Sequence, residues 1–205
     1  MSRGVAVVLL AWCVVTVGAC AKSAAPDWAG AAVRFVHKID GAPDGAERLM
    51  FATYNVAGGA RPAGVAADVG RLAHVNAWAF QEVAVPDAAA DVAIARVMPA
   101  GRWHWVVVPL NERTDDGRAR EGQAIACRWP IEAVAVWPLP TGAGEKRRAA
   151  IAATLATPDG PVLLVNADLA LGFFDASYGS RRQVAELARR LRAVGAPRVV
   201  VAGDF

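Results

Sequence analysis

A chain of 205 residues, 55% hydrophobic and 20% charged, is globular in composition and long enough to bury one substantial core. Its net charge is only +3, and its basic residues, mostly arginines, are scattered with no block of like charges. That pattern excludes the clustered basic footprint of a general nucleic-acid binder.

The chain opens on MSRG and the apolar run VAVVLLAWCVVTVGA, too short to span a membrane comfortably as a permanent helix. Residues 1–19 therefore read as an export leader. Val17 and Ala19 fit ordinary signal cleavage, whereas Val17-Gly18-Ala19-Cys20 resembles a bacterial lipobox in which Cys20 is lipidated. A cysteine at that junction favours the second reading. Both imply export, and the second implies a lipid anchor in the cell envelope. With Cys13 in the leader and Cys20 lipidated, only Cys127 is left, so no internal disulfide is expected. Its apolar setting, GQAIACRW, predicts a buried structural thiol.

Residues 20–47, rich in Ala, Gly, Pro and Asp, read as a spacer with one short ordered piece around VRFVHKI. The folded domain is expected over 48–205. LMFATYNV predicts a buried strand, followed by Gly58-Gly59 and a helical stretch, PAGVAADVGRLAHV, with its stripe at Val65, Val69, Leu72 and Val75. NAWAFQEV predicts a short strand ending in Gln81-Glu82, and PDAAADVAIARVM a second helix. WHWVVVPL, GQAIACRW and IEAVAVW read as successive strands. Trp103-His104-Trp105 reads more readily as the two faces of one strand than as a stacking or lipid-facing cluster. RRAAIAATLA and VLLVNADL flank Thr157-Pro158-Asp159-Gly160, which predicts an antiparallel hairpin. Capping-box spacing at Ser180 to Gln183 predicts a helix start, with its stripe at Val184, Leu187, Ala188, Leu191 and Val194. Gly195-Ala196-Pro197 stops that helix, and RVVVAGD is the last strand.

Helices at both ends of a central run of strands exclude a purely parallel doubly wound fold and imply a mixed sheet or two packed sheets with outer helices. Asn55, Glu82 and Asp204 all fall at the ends of expected buried strands, where residues from distant parts of a chain converge. Carboxylates gathered there repel unless a cation lies between them, which suits Mg²⁺ held by one or two carboxylates plus water and phosphate.

Taken in order, ATYNV, AFQEV, EGQAIACRWPI, RRAAIAATL, VLLVNADL, SRRQVAELARRL and RVVVAGDF resemble the endonuclease/exonuclease/phosphatase superfamily, from about Leu49 to Phe205. The resemblance implies a four-layered α/β sandwich of two packed mixed sheets flanked by helices. It implies a Mg²⁺- or Mn²⁺-dependent hydrolase of phosphoesters in nucleic acid, phospholipid or sugar phosphate, with no protein partner evident. Carried over, Asn55 orients phosphate or the catalytic carboxylate, Glu82 binds the metal, and Asp204 positions the attacking water.

The chain departs from that family twice. Where the family has Asn-Thr-His-Leu, this chain has Asn166-Ala167-Asp168-Leu169. An ionised Asp168 would repel phosphate by about 4 kcal/mol at ~4 Å and an effective dielectric near 20, enough to cost powers of ten in rate. Asp168 is alternatively an added metal ligand, or a carboxyl held protonated by its neighbours. None of the three histidines replaces the family's. The second departure is that the family's Gly-Asp-Phe runs on into Asn and later an Asp-His pair, whereas Phe205 is the last residue here. The expectation is an incomplete domain, poorly folded and inactive alone, from a phosphoesterase lipoprotein. The alternative is a non-catalytic binding or scaffold lipoprotein with the His-to-Asp change as its signature.

Overall fold

A computed structural model describes residues 35–37, 49–57, 62–85, 97–113, 120–142, 146–170 and 176–205. The leader, Cys20, most of the spacer, Gly58-Gly59 and nearly all of the second helical stretch lie outside the described residues. Five strands form the first sheet: β1 (Phe35–His37), β2 (Phe51–Asn55), β3 (Ala77–Val85), β4 (His104–Arg113) and β5 (Arg120–Cys127), in the order β1-β4-β5-β3-β2. Four more form the second: β6 (Ile131–Leu139), β7 (Arg148–Thr157), β8 (Gly160–Asp168) and β9 (Val199–Asp204), in sequence order. Each sheet has one parallel pair, β2 with β3 and β8 with β9, among antiparallel ones. Both sheets are mixed, as expected. β1, paired with β4, is the short ordered piece expected around VRFVHKI.

Alternation along the strands builds three apolar layers. Val65 and Val69 of α1 (Pro62–Arg71) pack on the outer face of the first sheet against Trp78, Phe80, Trp105 and Val107. Val106, Ile125, Cys127, Ile151, Leu155 and Leu164 fill the space between the sheets. Leu187 of α2 (Ala176–Val194) meets Trp137, Leu139, Ala150 and Val165 on the outer face of the second. Each fully buried large apolar side chain contributes roughly 1.5–3 kcal/mol, so the four layers α/β/β/α are held by packing. Cys127 is fully buried, as expected. Burial pushes its thiol up to about 12, and Sγ donates to the Trp129 carbonyl at 2.9 Å.

Three boundaries differ from expectation. α1 stops at Arg71, leaving Leu72 exposed while Val75 enters the core from the following turn. α2 begins at Ala176, so Ser180 lies inside the helix and not at its start. Gln183 instead is wholly buried: its Oε1 accepts from the Ala170 N–H at 2.9 Å and its Nε2 donates to the Pro140 carbonyl at 2.9 Å. Gly195, at φ 60°, ends the helix in the left-handed conformation that glycine adopts without cost. β3 does not end at Glu82 but runs on to Val85. The hairpin forms as expected, with Thr157 opposite Gly160. Trp103, His104 and Trp105 are all buried, and Arg128 stacks 3.9 Å over the Trp103 ring, so this cluster is core and not a stacking surface.

Candidate active site

The continuation of β3 explains where Glu82 points. Trp78 and Phe80 face the outer layer, and so do Val83 and Val85, two positions of opposite parity. The parity changes because one extra residue is inserted: the β3–β5 register shifts between Phe80 and Val83, and Glu82 takes φ 51°. Such a bulge re-aims a side chain. Here it turns Glu82 away from the α1 layer and toward the end of β2.

Buried amides hold the bulge. The Asn166 amide, fully buried on β8, donates to the Phe80 carbonyl at 2.8 Å and the Ala124 carbonyl at 3.0 Å, the last β3–β5 register pair before the break. Its Oδ1 accepts from Gln81 Nε2 at 2.6 Å, and Gln81 also pairs with Thr53 of β2. One asparagine thus ties the second sheet to two strands of the first.

β2 brings Asn55 to the same place. The Ala57 N–H donates to its Oδ1 at 2.9 Å, which fixes the amide and points its Nδ2 outward. That Nδ2 donates to Glu82 Oε1 at 3.1 Å and to Asp204 Oδ2 at 2.9 Å. Asp204 reaches the cluster on β9. There Gly203 lies so close to β8 that a Cβ would come within 1.8 Å of the Ala167 carbonyl oxygen, and Asp204's own carbonyl accepts from the Leu169 N–H at 2.9 Å.

Asp168 is the register partner of Asp204 on the neighbouring strand. It joins no direct contact with Asn55. Instead its Oδ1 pairs with Arg148 Nη1 at 2.5 Å, both side chains being largely buried. Burial raises the Asp168 carboxyl to about 6; Arg148 opposes that rise, while Glu82, Asp204 and Glu121 reinforce it. Glu121 is paired in turn with Lys146 at 2.7 Å. Among the described residues no histidine enters this cluster: His104 is buried in β4 and His74 is exposed beyond α1.

The cluster therefore runs Arg148–Asp168, then Asp204–Asn55–Glu82. Two carboxylates sharing one amide make a donor set for a hard cation that keeps water and substrate oxygens. Among the described residues no group of three or more His, Cys, Asp or Glu is placed to hold a metal. Asn55, Glu82 and Asp204 converge as the sequence suggested; Cys20 lies outside the described residues. Sequence reasoning missed Arg148, Gln81, Asn166 and Gly203. A signal for Arg148 existed: the hairpin turn fixes the β7–β8 register, and counting back from Thr157 and Gly160 puts the start of β7 beside the end of β8.

A family model described as "Endonuclease/Exonuclease/phosphatase family" matches residues 52–205. No curated protein matches the chain. Among solved structures, an endonuclease/exonuclease/phosphatase family protein from Leptotrichia buccalis superposes with TM-score 0.58 at 11% identity, covering 75% of this chain and 66% of that one. A mannosyl-6-phosphatase from Bacteroides thetaiotaomicron superposes with TM-score 0.57 at 16% identity, covering 77% and 65%. The human Nocturnin catalytic domain, with bound sulfate, does so with TM-score 0.54 at 17% identity, covering 70% and 56%. At these identities the likeness is one of fold, and the chain spans about two thirds or less of each neighbour's length.

Proposed function

The chain belongs to the endonuclease/exonuclease/phosphatase family, and from that premise we propose that its cluster serves the divalent-metal-dependent hydrolysis of a phosphoester. The observation that carries this reading is the Asn55 amide, which bridges Glu82 and Asp204, the latter 149 residues further along the chain than Asn55 itself. A positive φ at Glu82 and a close approach of β9 to β8 at Gly203 accompany it.

Glu82 would hold a Mg²⁺ or Mn²⁺ ion. Such an ion, when bound, polarises the phosphoryl oxygen and stabilises the leaving group. Asp204, oriented by Asn55, is the group that aligns the attacking water and accepts its proton. Asn55 keeps the two carboxylates at fixed separation, so neither need reorganise as charge moves. With no imidazole in the described cluster, turnover by this chain alone is expected near background. The pairing of Asp168 with Arg148 where a histidine would donate to phosphate supports a second reading, a protein that binds phosphoesters without hydrolysing them. Substrate class is open between nucleic acid, phospholipid and sugar phosphate. Export and lipid attachment at Cys20 belong to the same proposal, supported by the lipobox-like sequence.

The deciding experiment is Mg²⁺ titration of the full chain by calorimetry, with Glu82→Gln beside it, followed by hydrolysis assays on chromogenic phosphodiesters and phosphomonoesters. Mg²⁺ binding that Glu82→Gln weakens at least tenfold supports the metal site. Hydrolysis above the EDTA background separates the enzyme from the binding protein. Absence of any Mg²⁺ binding would overturn the proposal.

A further inference from the structure

Arg148 is a largely buried cation that the proposed hydrolytic machinery does not use. Its guanidinium has five N–H donors in a fixed fork, and its Nη1 lies 2.5 Å from Asp168 Oδ1. Asp168 faces Asp204 across the β8–β9 register, and Asp204 accepts from Asn55. Arg148 therefore stands one carboxylate away from the Asn55–Glu82–Asp204 group, at a position where every other nearby charge that acts on Asp168 is negative. Removing a charged group from water is costly, and a carboxylate partner offsets that cost. The same pairing orients the guanidinium, whose planar fork of five donors exceeds what one carboxylate can take and matches two oxygens of a second anion such as phosphate.

We propose that Arg148 is the phosphate-contacting cation of this site and that Asp168 is the residue that positions it. Asp168 then acts through Arg148 instead of touching the phosphate, which removes the conflict of an acidic residue facing an anionic substrate. The inference rests on the phosphoester reading above but makes a separate demand, namely that phosphate affinity follows the guanidinium and not the metal alone.

Inorganic phosphate, titrated calorimetrically into the full chain at saturating Mg²⁺, tests it with Arg148→Ala, Arg148→Lys and Asp168→Asn. Mg²⁺ affinity is measured on each variant separately, and circular dichroism checks that each is folded. Loss of a charge-assisted contact predicts that Arg148→Ala weakens phosphate roughly tenfold to a hundredfold while retaining Mg²⁺. Arg148→Lys recovers part of that loss, because charge is kept and the fork is not. Asp168→Asn retains Arg148 but loosens it, so phosphate weakens by a smaller factor. If hydrolysis is measurable, the Asp168→Asn defect appears in KM more than in kcat. Wild-type phosphate affinity in Arg148→Ala, or Mg²⁺ binding by the wild type with no phosphate binding, would overturn the inference and leave the metal site standing. Failure of the wild type to bind Mg²⁺ at all, with no phosphate binding in EDTA, would sink both.

Discussion

Asn55 is a neutral side chain joining two carboxylates, and its value lies in what those carboxylates do without it. Each of its contacts, to Glu82 and to Asp204, is a hydrogen bond to an ionised acceptor, worth about 1.5–3 kcal/mol. Asn55→Ala removes both and leaves like charges facing each other. The expected outcome in EDTA is a loss of about 3–6 kcal/mol in unfolding free energy, measured by urea denaturation. Asn55→Asp tests the electrostatic part alone, because it keeps the shape and adds a third negative charge. That variant should be less stable than wild type in EDTA yet gain more stability than wild type on adding Mg²⁺, by mass action on a more acidic site. Equal Mg²⁺ stabilisation of the two proteins would mean that no cation binds between these groups.

At the scale of elements, the site depends on two local departures from regular strands, and both are open to test. Gly203 can carry no side chain, because the Ala167 carbonyl oxygen occupies the space. Gly203→Ala must push β9 away from β8, and about 3 kcal/mol or more of stability should go with it, along with Mg²⁺ affinity, since Asp204 is the next residue. Asn166→Ala leaves the Phe80 and Ala124 carbonyls and the Gln81 amide without their partner in a dry interior. At about 1–3 kcal/mol for each buried polar group left unsatisfied, a total near 3–5 kcal/mol is expected from chemical denaturation. A cost under about 1 kcal/mol would show that water replaces the side chain. The regular elements were legible in the sequence. Turn chemistry at Thr157 to Gly160, a glycine stop at Gly195 and apolar runs of strand length depend on nearest neighbours, and each appears where expected. Features governed by distant contacts were not. The capping-box spacing at Ser180 is overridden by a helix that starts four residues earlier, and Gln183 is a buried strut in place of the cap that spacing predicts. The β3 bulge was written in the sequence all the same: Trp78 and Phe80 alternate in one parity, Val83 and Val85 in the other, and an inserted residue is the one way to bury all four on one face.

The whole molecule sets the terms on which its charges titrate, since the carboxylates gather where two sheets exclude water from each other's edges. Asp168 reports the balance. Burial is the largest influence and favours the neutral acid; Arg148 favours the anion; Glu82, Asp204 and Glu121 side with burial. The outcome is a carboxyl raised from 3.8 to about 6. Between those values the folded protein holds a proton that the unfolded chain has released, so the unfolding free energy falls as pH rises through this window. The stabilisation is complete below the unfolded value and lost above about 6, amounting to at most about 3 kcal/mol at 1.36 kcal/mol per unit, less what the partly open rim screens. Asp168→Asn cannot titrate. Its unpaired Arg148 stays charged throughout this range and adds an offset that does not vary with pH. The difference in stability, wild type minus variant, should therefore decline by about 2–3 kcal/mol from about pH 4 to about pH 7 in urea denaturation with EDTA present. A difference that instead rises with pH would show that the arginine pair outweighs burial, and that Asp168 is an anion whenever the protein is folded.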